Sequence, residues 1–204
     1  MFRVEELDRE GAAAYEEALR ERKAWLDERG LHMWRSEHLT VAGMIARYTQ
    51  VAEGDPCNQL PPSQRAPARY ANPEFYGAFE GADVVGGFAL LEEDPRYWPG
   101  SLGDRAFYFH KVGVRPRFAG RGYADRMLEW VKDFAARRGK DFVRLDYDGG
   151  RAYLRAMYLR HGFEDAGTAT TPEGKELVLA EYRTASVPPR ARAEACSVPP
   201  PRTS

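Results

Sequence analysis

Over residues 106 to 147 the hydrophobic pattern changes period twice, and that change limits the folds open to the chain. A continuous β-like run at 106 to 114 gives way to Arg115-Pro116-Arg117-Phe118-Ala119-Gly120-Arg121-Gly122. Ala124, Met127, Leu128, Val131, Phe134 and Ala135 then recur at helical spacing, with Asp125, Arg126, Lys132, Asp133, Arg137 and Arg138 on the other side, until Gly139. A second β-like run follows at 142 to 147. Strand, helix and strand in this order predict a right-handed crossover with the two strands parallel, and the fold class is α/β or α+β with a mixed sheet. The break also sets Gly120 and Gly122 between the carboxyl end of a strand and the start of a helix. Glycine lets the backbone approach a ligand closely, and the first free N–H groups of the helix carry a partial positive charge that suits a pyrophosphate.

Other elements array around this unit. Asp8 can cap a helix over about residues 9 to 29 in which Tyr15, Ala18, Leu19, Trp25 and Leu26 share a face, and Gly30 suits a left-handed stop. Thr40 is a fair cap for a second helix, where Val41, Met44, Ile45 and Tyr48 keep helical spacing. Residues 53 to 74, with Pro56, Pro61, Pro62, Pro67 and Pro73, read as a long irregular connection flanking the functional site. Runs at 75 to 80 and 84 to 91 form a hairpin around Gly81-Ala82-Asp83. After the strand at 142 to 147 come a helix at about 151 to 161, stopped by Gly162, and two strands at 163 to 170 and 176 to 182 around Thr171-Pro172-Glu173-Gly174. From Ser186 the chain turns Pro- and Arg-rich, with Ser186-Val187-Pro188-Pro189-Arg190 nearly repeated at Ser197-Val198-Pro199-Pro200-Pro201-Arg202. Such a segment cannot bury enough apolar area to order itself, so one domain over 1–185 and a solvated tail over 186–204 are expected.

The chain has 204 residues, 43% of them hydrophobic, enough for one substantial core and short for two. Thirty basic residues balance 31 acidic ones for a net charge of -1, so no global field draws the protein to nucleic acid or an anionic membrane, and neither partner is expected. The two cysteines, Cys57 and Cys196, imply no disulfide framework. Met1-Phe2-Arg3-Val4-Glu5-Glu6 lacks the apolar stretch of a signal peptide, and nowhere do 18 apolar residues run together; a soluble, cytoplasmic protein is the expectation.

Arg117-Phe118-Ala119-Gly120-Arg121-Gly122 fits the pattern Arg/Gln-x-x-Gly-x-Gly/Ala in a strand-to-helix context, and Tyr158-Leu159-Arg160-His161-Gly162-Phe163 fits Tyr-x-x-x-Gly-Phe one β-α unit later. Together and in this order they resemble the GNAT N-acetyltransferase family. The segment is not Gly-x-Gly-x-x-Gly and has no Lys-Ser/Thr after its last glycine, which ranks dinucleotide and ATP binding low. The resemblance implies a mixed central sheet of about six to seven strands flanked by about four helices, splayed between the two central parallel strands by a bulge near Val112 to Val114. It implies acetyl-CoA as co-substrate and no metal. The pyrophosphate would lie on Arg117, Phe118, Ala119, Gly120, Arg121, Gly122, Tyr123 and Ala124, and the pantetheine arm along Val112, Gly113 and Val114. The N–H of Val114 would face the thioester carbonyl, where it could stabilise the oxyanion. Arg151 stands where many relatives have an Asn that touches the cofactor arm, and could instead reach a phosphate.

The reaction implied is acetyl transfer to a primary amine by direct attack, with a small-molecule metabolite or antibiotic as acceptor; a protein or peptide acceptor, or a non-catalytic acyl-CoA binder, stays open, as does a homodimer. Tyr158 aligns with the family's tyrosine that protonates the departing thiolate, and a phenol with a pKa near 10 is a reasonable donor for that step, although the same ring suits core packing. Tyr153 is expected to face elsewhere. An alkyl ammonium has a pKa of about 10 and must lose a proton before it attacks. His110, two residues before Val112, is the first candidate for the base and equally a packing residue; Glu80, Glu92, Asp94 and Asp146 are acidic alternatives. Tyr97, Trp98 and the Pro-rich connection could build an aromatic acceptor pocket.

Overall fold

The computed structural model describes residues 1–49, 73–94, 96–98, 103–171 and 174–184. Its elements are β1 (Phe2–Glu6), α1 (Arg9–Asp27), α2 (Val41–Thr49), β2 (Glu74–Glu80), β3 (Asp83–Leu91), β4 (Ala106–Val114), α3 (Tyr123–Arg137), β5 (Phe142–Asp148), α4 (Ala152–Arg160), β6 (Glu164–Thr170) and β7 (Glu176–Arg183). The seven strands form one sheet in the order β1-β2-β3-β4-β5-β7-β6. Only β4 and β5 run parallel; every other neighbouring pair is antiparallel.

Local signals set most boundaries. The Asp8 carboxylate accepts from the Gly11 N–H at 2.9 Å to start α1, and Gly30 turns left-handed beyond it at φ 68°. Thr40 Oγ1 accepts from the Gly43 N–H at 2.9 Å to start α2. Gly81, at φ 61°, turns the β2–β3 hairpin. Three features depart from the sequence reading. The five-residue β1 is not anticipated, because it is too short for a periodic signal; it pairs with β2 from Phe2↔Glu80 to Glu6↔Tyr76. Trp25 is not a core residue: the guanidinium groups of Arg22 and Arg29 lie 4.6 and 3.9 Å from its ring centre, while Tyr15, Ala18, Leu19 and Leu26 are buried. The last strand, β7, inserts between β5 and β6, because Leu177, Leu179 and Ala180 need burial while β6, Glu-Asp-Ala-Gly-Thr-Ala-Thr, tolerates an exposed edge. The expected connection at 53 to 74 lies outside the described residues until β2 begins, as do 185–204 and both cysteines.

Helices cover both faces of the sheet. On one face Met127, Leu128, Val131 and Ala135 of α3 and Tyr158 of α4 pack on Phe88, Phe107, Phe109, Val143 and Leu145. On the other, Tyr15 and Leu19 of α1 and Met44 of α2 pack with Leu39, Phe75 and Ala89. Alternation along a strand therefore assigns a face to each residue of β5 and of the regular part of β4. No helix among the described residues is long and apolar enough to cross a membrane.

The centre of the sheet is split. From Gly87 to Ala89 on β3, the paired residue on β4 moves from Gly113 to His110, so β4 carries one extra residue there. Lys111 absorbs it at φ 52°, the one non-glycine residue in that region among those described. Tyr15 Oη donates to the Lys111 carbonyl at 2.8 Å, pinning the bulge to α1. Pairing of β4 with β5 is confined to Ala106↔Phe142, Phe107↔Val143 and Tyr108↔Arg144, and the strands part beyond Tyr108.

Candidate active site

At the carboxyl end of β4 the chain makes a 3-10 turn, Pro116–Phe118, and enters α3 through two left-handed glycines, Gly120 (φ 75°) and Gly122 (φ 73°). Gly122 is the N-cap, and no side chain caps the helix. The opening N–H groups of α3 thus remain available to an anion. A Cβ on Gly120 would meet nothing within 4 Å, so it is the backbone angle and not crowding that calls for glycine there.

A cavity of about 810 Å³ runs from this turn into the slot between β4 and β5. Of the sequence-predicted residues, Val112, Val114, Phe118, Ala119, Gly120, Gly122, Tyr123, Ala124, His110 and Tyr158 line it. Others do not. Gly113 faces α1, where a Cβ would lie 2.7 Å from Leu19 Cδ2, so close helix-to-sheet packing accounts for that glycine. Arg117 is exposed, 3.4 Å from Asp83, and Arg121 lies by the Phe118 ring at 5.6 Å. Arg151, at the N-cap of α4, is held by Asp148 at 2.9 Å and donates to the His32 carbonyl at 3.2 Å. Trp98 is buried against Tyr108, ring centres 6.0 Å apart, away from the cavity that Tyr97 lines. Tyr153, expected to face elsewhere, lines the cavity while half exposed.

On the α1–α2 face, three ionisable groups meet in the slot. His110 Nε2 is 3.0 Å from Asp94 Oδ2, and His110 Nδ1 is 3.5 Å from Asp146 Oδ1. The closeness is not matched by alignment: Asp94 Oδ2, His110 Nε2 and Asp146 Oδ1 are all buried, and none completes a hydrogen bond. Burial disfavours the His110 imidazolium, yet the Asp94 and Asp146 carboxylates outweigh it and hold its pKa above the ordinary value. Burial raises Asp146 in turn. One donor atom from each of the three lies within 4.8 Å of the others, the composition of a cation site as well as of a proton relay. The remaining acidic candidates are engaged elsewhere: Glu80 with the N-terminus at 3.0 Å and Arg126 at 3.3 Å, Glu92 with Lys140 at 2.9 Å.

Tyr158 packs between Tyr147 and Phe163, with ring centres at 5.2 and 5.8 Å, so core packing and cavity lining coincide in one side chain. Burial, then the Asp146 charge, pushes its hydroxyl well up, and it stays protonated at neutral pH. Among the lining residues the sequence reading missed are Trp34 and His38 from the α1–α2 connection, Arg47 and Tyr48 from α2, and Lys111 from the bulge. Tyr48 stacks obliquely on His110 at 5.3 Å.

Comparison with known proteins agrees with this architecture. Residues 4–163 match the acetyltransferase (GNAT) family. A Bacillus subtilis protein described as an uncharacterized N-acetyltransferase, YesJ, is 32% identical over 79 residues, which are 39% of this chain; the chain matches less than half of that relative's length, 44%. A GNAT-family acetyltransferase structure from Listeria monocytogenes superposes with a TM-score of 0.62 at 18% identity, covering 89% of this chain and 94% of the other. The ribosomal-protein-S18-alanine N-acetyltransferase of Escherichia coli superposes with a TM-score of 0.60 at 12% identity over 92% and 97%. At these identities the two structures speak to the fold.

Proposed function

The chain belongs to the acetyltransferase (GNAT) family, and on that premise we propose that it transfers an acetyl group from acetyl-CoA to a primary amine of a small molecule by direct attack. The observation that carries this reading is the continuity of one cavity, from an uncapped helix N-terminus on the α3 face to a buried His–Asp group on the α1–α2 face. Donor and acceptor would thus meet at one reacting centre from opposite faces of the sheet.

The turn from Arg117 to Ala124 receives the pyrophosphate on the N–H groups of Gly120, Gly122 and the first turn of α3. The pantetheine arm lies along Val112, Gly113 and Val114 in the gap left by the parting of β5, and the Val114 N–H faces the thioester oxygen. Neutral His110 takes a proton from the acceptor ammonium. The freed amine attacks the carbonyl carbon, the C–N bond forms, the nitrogen of the tetrahedral intermediate sheds its remaining extra proton to solvent through the cavity, and the C–S bond breaks as that intermediate collapses. Tyr158 donates its proton to the leaving thiolate and is reprotonated from solvent through the cavity. The domain is proposed to span 1–185.

Thiol release from acetyl-CoA, measured across a panel of amines, tests the assignment. Tyr158→Phe is expected to lower kcat by about 10²-fold, the scale of general acid catalysis, with the KM for acetyl-CoA changed far less. An unchanged kcat would remove Tyr158 from the mechanism, and failure to bind acetyl-CoA would remove the proposal itself. The 4.8 Å grouping of Asp94, His110 and Asp146 favours one second reading, a bound divalent cation. Dialysis against a chelator separates the two: turnover survives it if the group moves protons.

A further inference from the structure

Along a regular strand His110 and Lys111 would point to opposite faces of the sheet. The bulge cancels that alternation, and both side chains reach the same cavity. A group that accepts a proton and a cation are thereby set on adjacent residues of one wall. Lys111 is joined by Arg47 from α2 and His38 from the α1–α2 connection. Arg47 Nη2 donates to Tyr97 Oη at 2.8 Å, and Lys111 Nζ lies 5.6 Å from the centre of the Trp34 ring. Among the described residues no carboxylate lies within ion-pair distance of Lys111, Arg47 or His38, whereas Arg20, Lys23, Arg115 and Arg144 each have a carboxylate partner.

Resting on the proposed acetyl transfer, we infer that the acceptor is a small zwitterion of amino-acid type, its amino group meeting His110 and Asp146 and its carboxylate held by Lys111 and Arg47 with His38. The chemistry is complementary at both poles. Asp146 Oδ1 is a buried acceptor with no partner, which an incoming ammonium satisfies. The charged forms of these side chains disfavour one another: burial, then Arg47 and Lys111, lowers the His38 imidazolium against a smaller raising effect of Glu37, and burial, then Arg47, pushes the Lys111 ammonium down to about 8 although Asp146 partly offsets it. A carboxylate between them relieves that repulsion and takes charge-assisted hydrogen bonds from both Arg47 and Lys111. Trp34, Tyr48 and Tyr97 offer apolar surface for a side chain of the acceptor. A polyamine, by contrast, would bring a second ammonium up against the cationic pole.

The test uses the full-length protein, acetyl-CoA and matched triplets of amines: an amino acid, its primary amide, and the amine left by removing the carboxylate. The amino acid is expected to show a kcat/KM at least ~10-fold above both analogues, in line with a charged hydrogen-bonded contact. Lys111→Gln and Arg47→Gln should each shrink that ratio several-fold, while Arg47→Lys should retain most of it. Analogues turned over as well as the acid would overturn the inference and leave acetyl transfer standing. So would a protein that binds acetyl-CoA and acetylates no carboxylate-bearing amine, or a ratio indifferent to Lys111→Gln and Arg47→Gln. Absence of acetyl-CoA binding, read by calorimetry, would overturn both.

Discussion

His110 sits where two opposed physical effects meet. Desolvation alone would push its pKa below the ordinary histidine value; two carboxylates beside it more than reverse that and raise it. Because its folded-state pKa is raised, its contribution to stability is present below the ordinary histidine value and is lost as pH rises through the higher folded value. The same shift governs the proposed catalysis, which requires the neutral ring. The acidic limb of the kcat/KM profile should therefore lie above the ordinary histidine pKa of about 6.5. Asp94→Asn removes one of the two raising charges, so its limb should move to lower pH. A limb that stays in place in that variant would dissociate His110 from the titration. Asp94 does not line the cavity itself, so in the proposed mechanism it acts through the imidazole, as a positioning residue.

At the scale of elements, the bulge in β4 does more for the site than any single side chain. It coincides with the end of the pairing with β5, brings His110 and Lys111 to one cavity, and is tied down from α1 by Tyr15. Tyr15→Phe leaves the Lys111 carbonyl without that donor in a setting where Tyr15 is fully buried, and should cost about 1–3 kcal/mol in denaturant unfolding. A further loss of turnover beyond that expected from the unfolded fraction would show that the bulge geometry itself matters. The β4–α3–β5 unit and the glycine turn at its centre were legible in the sequence because they rest on local rules: a change of hydrophobic period, and glycines at 120 and 122 that turn out to need positive φ. Lys111 was not legible. Lysine carries no preference for the left-handed region, and only pairing with β3 and the bond from Tyr15 force it there. Nor were Trp34, His38, Arg47 and Tyr48, which reach the cavity through packing between segments far apart in sequence. Gly113 shows the converse: a glycine inside a functional motif whose small size serves α1.

Taken whole, the molecule is two antiparallel half-sheets, β1-β2-β3-β4 and β5-β7-β6, joined by three parallel residue pairs and by helices on both faces. The second half closes with β7. Beyond it, Thr184 donates its N–H to the Asp141 carbonyl at 2.9 Å and its hydroxyl to the Lys140 carbonyl at 2.7 Å, fastening the end of the strand to the start of β5. A chain ending at residue 185 should accordingly melt within a few degrees of the full-length protein and keep acetyl-CoA binding, whereas one ending at 175 should not fold. A large drop in melting temperature for the longer truncation would place part of the folded domain beyond 185. The interior position of β7 also has a bearing on biosynthesis. A ribosome delivers β5 well before the strand that must lie beside it, so the edge holding Asp146 waits unpaired while α4, β6 and the turn after it are made. The proposed phosphate cradle can be shaped early in translation, but the wall proposed to receive the acceptor is finished only when residue 183 has cleared the exit tunnel.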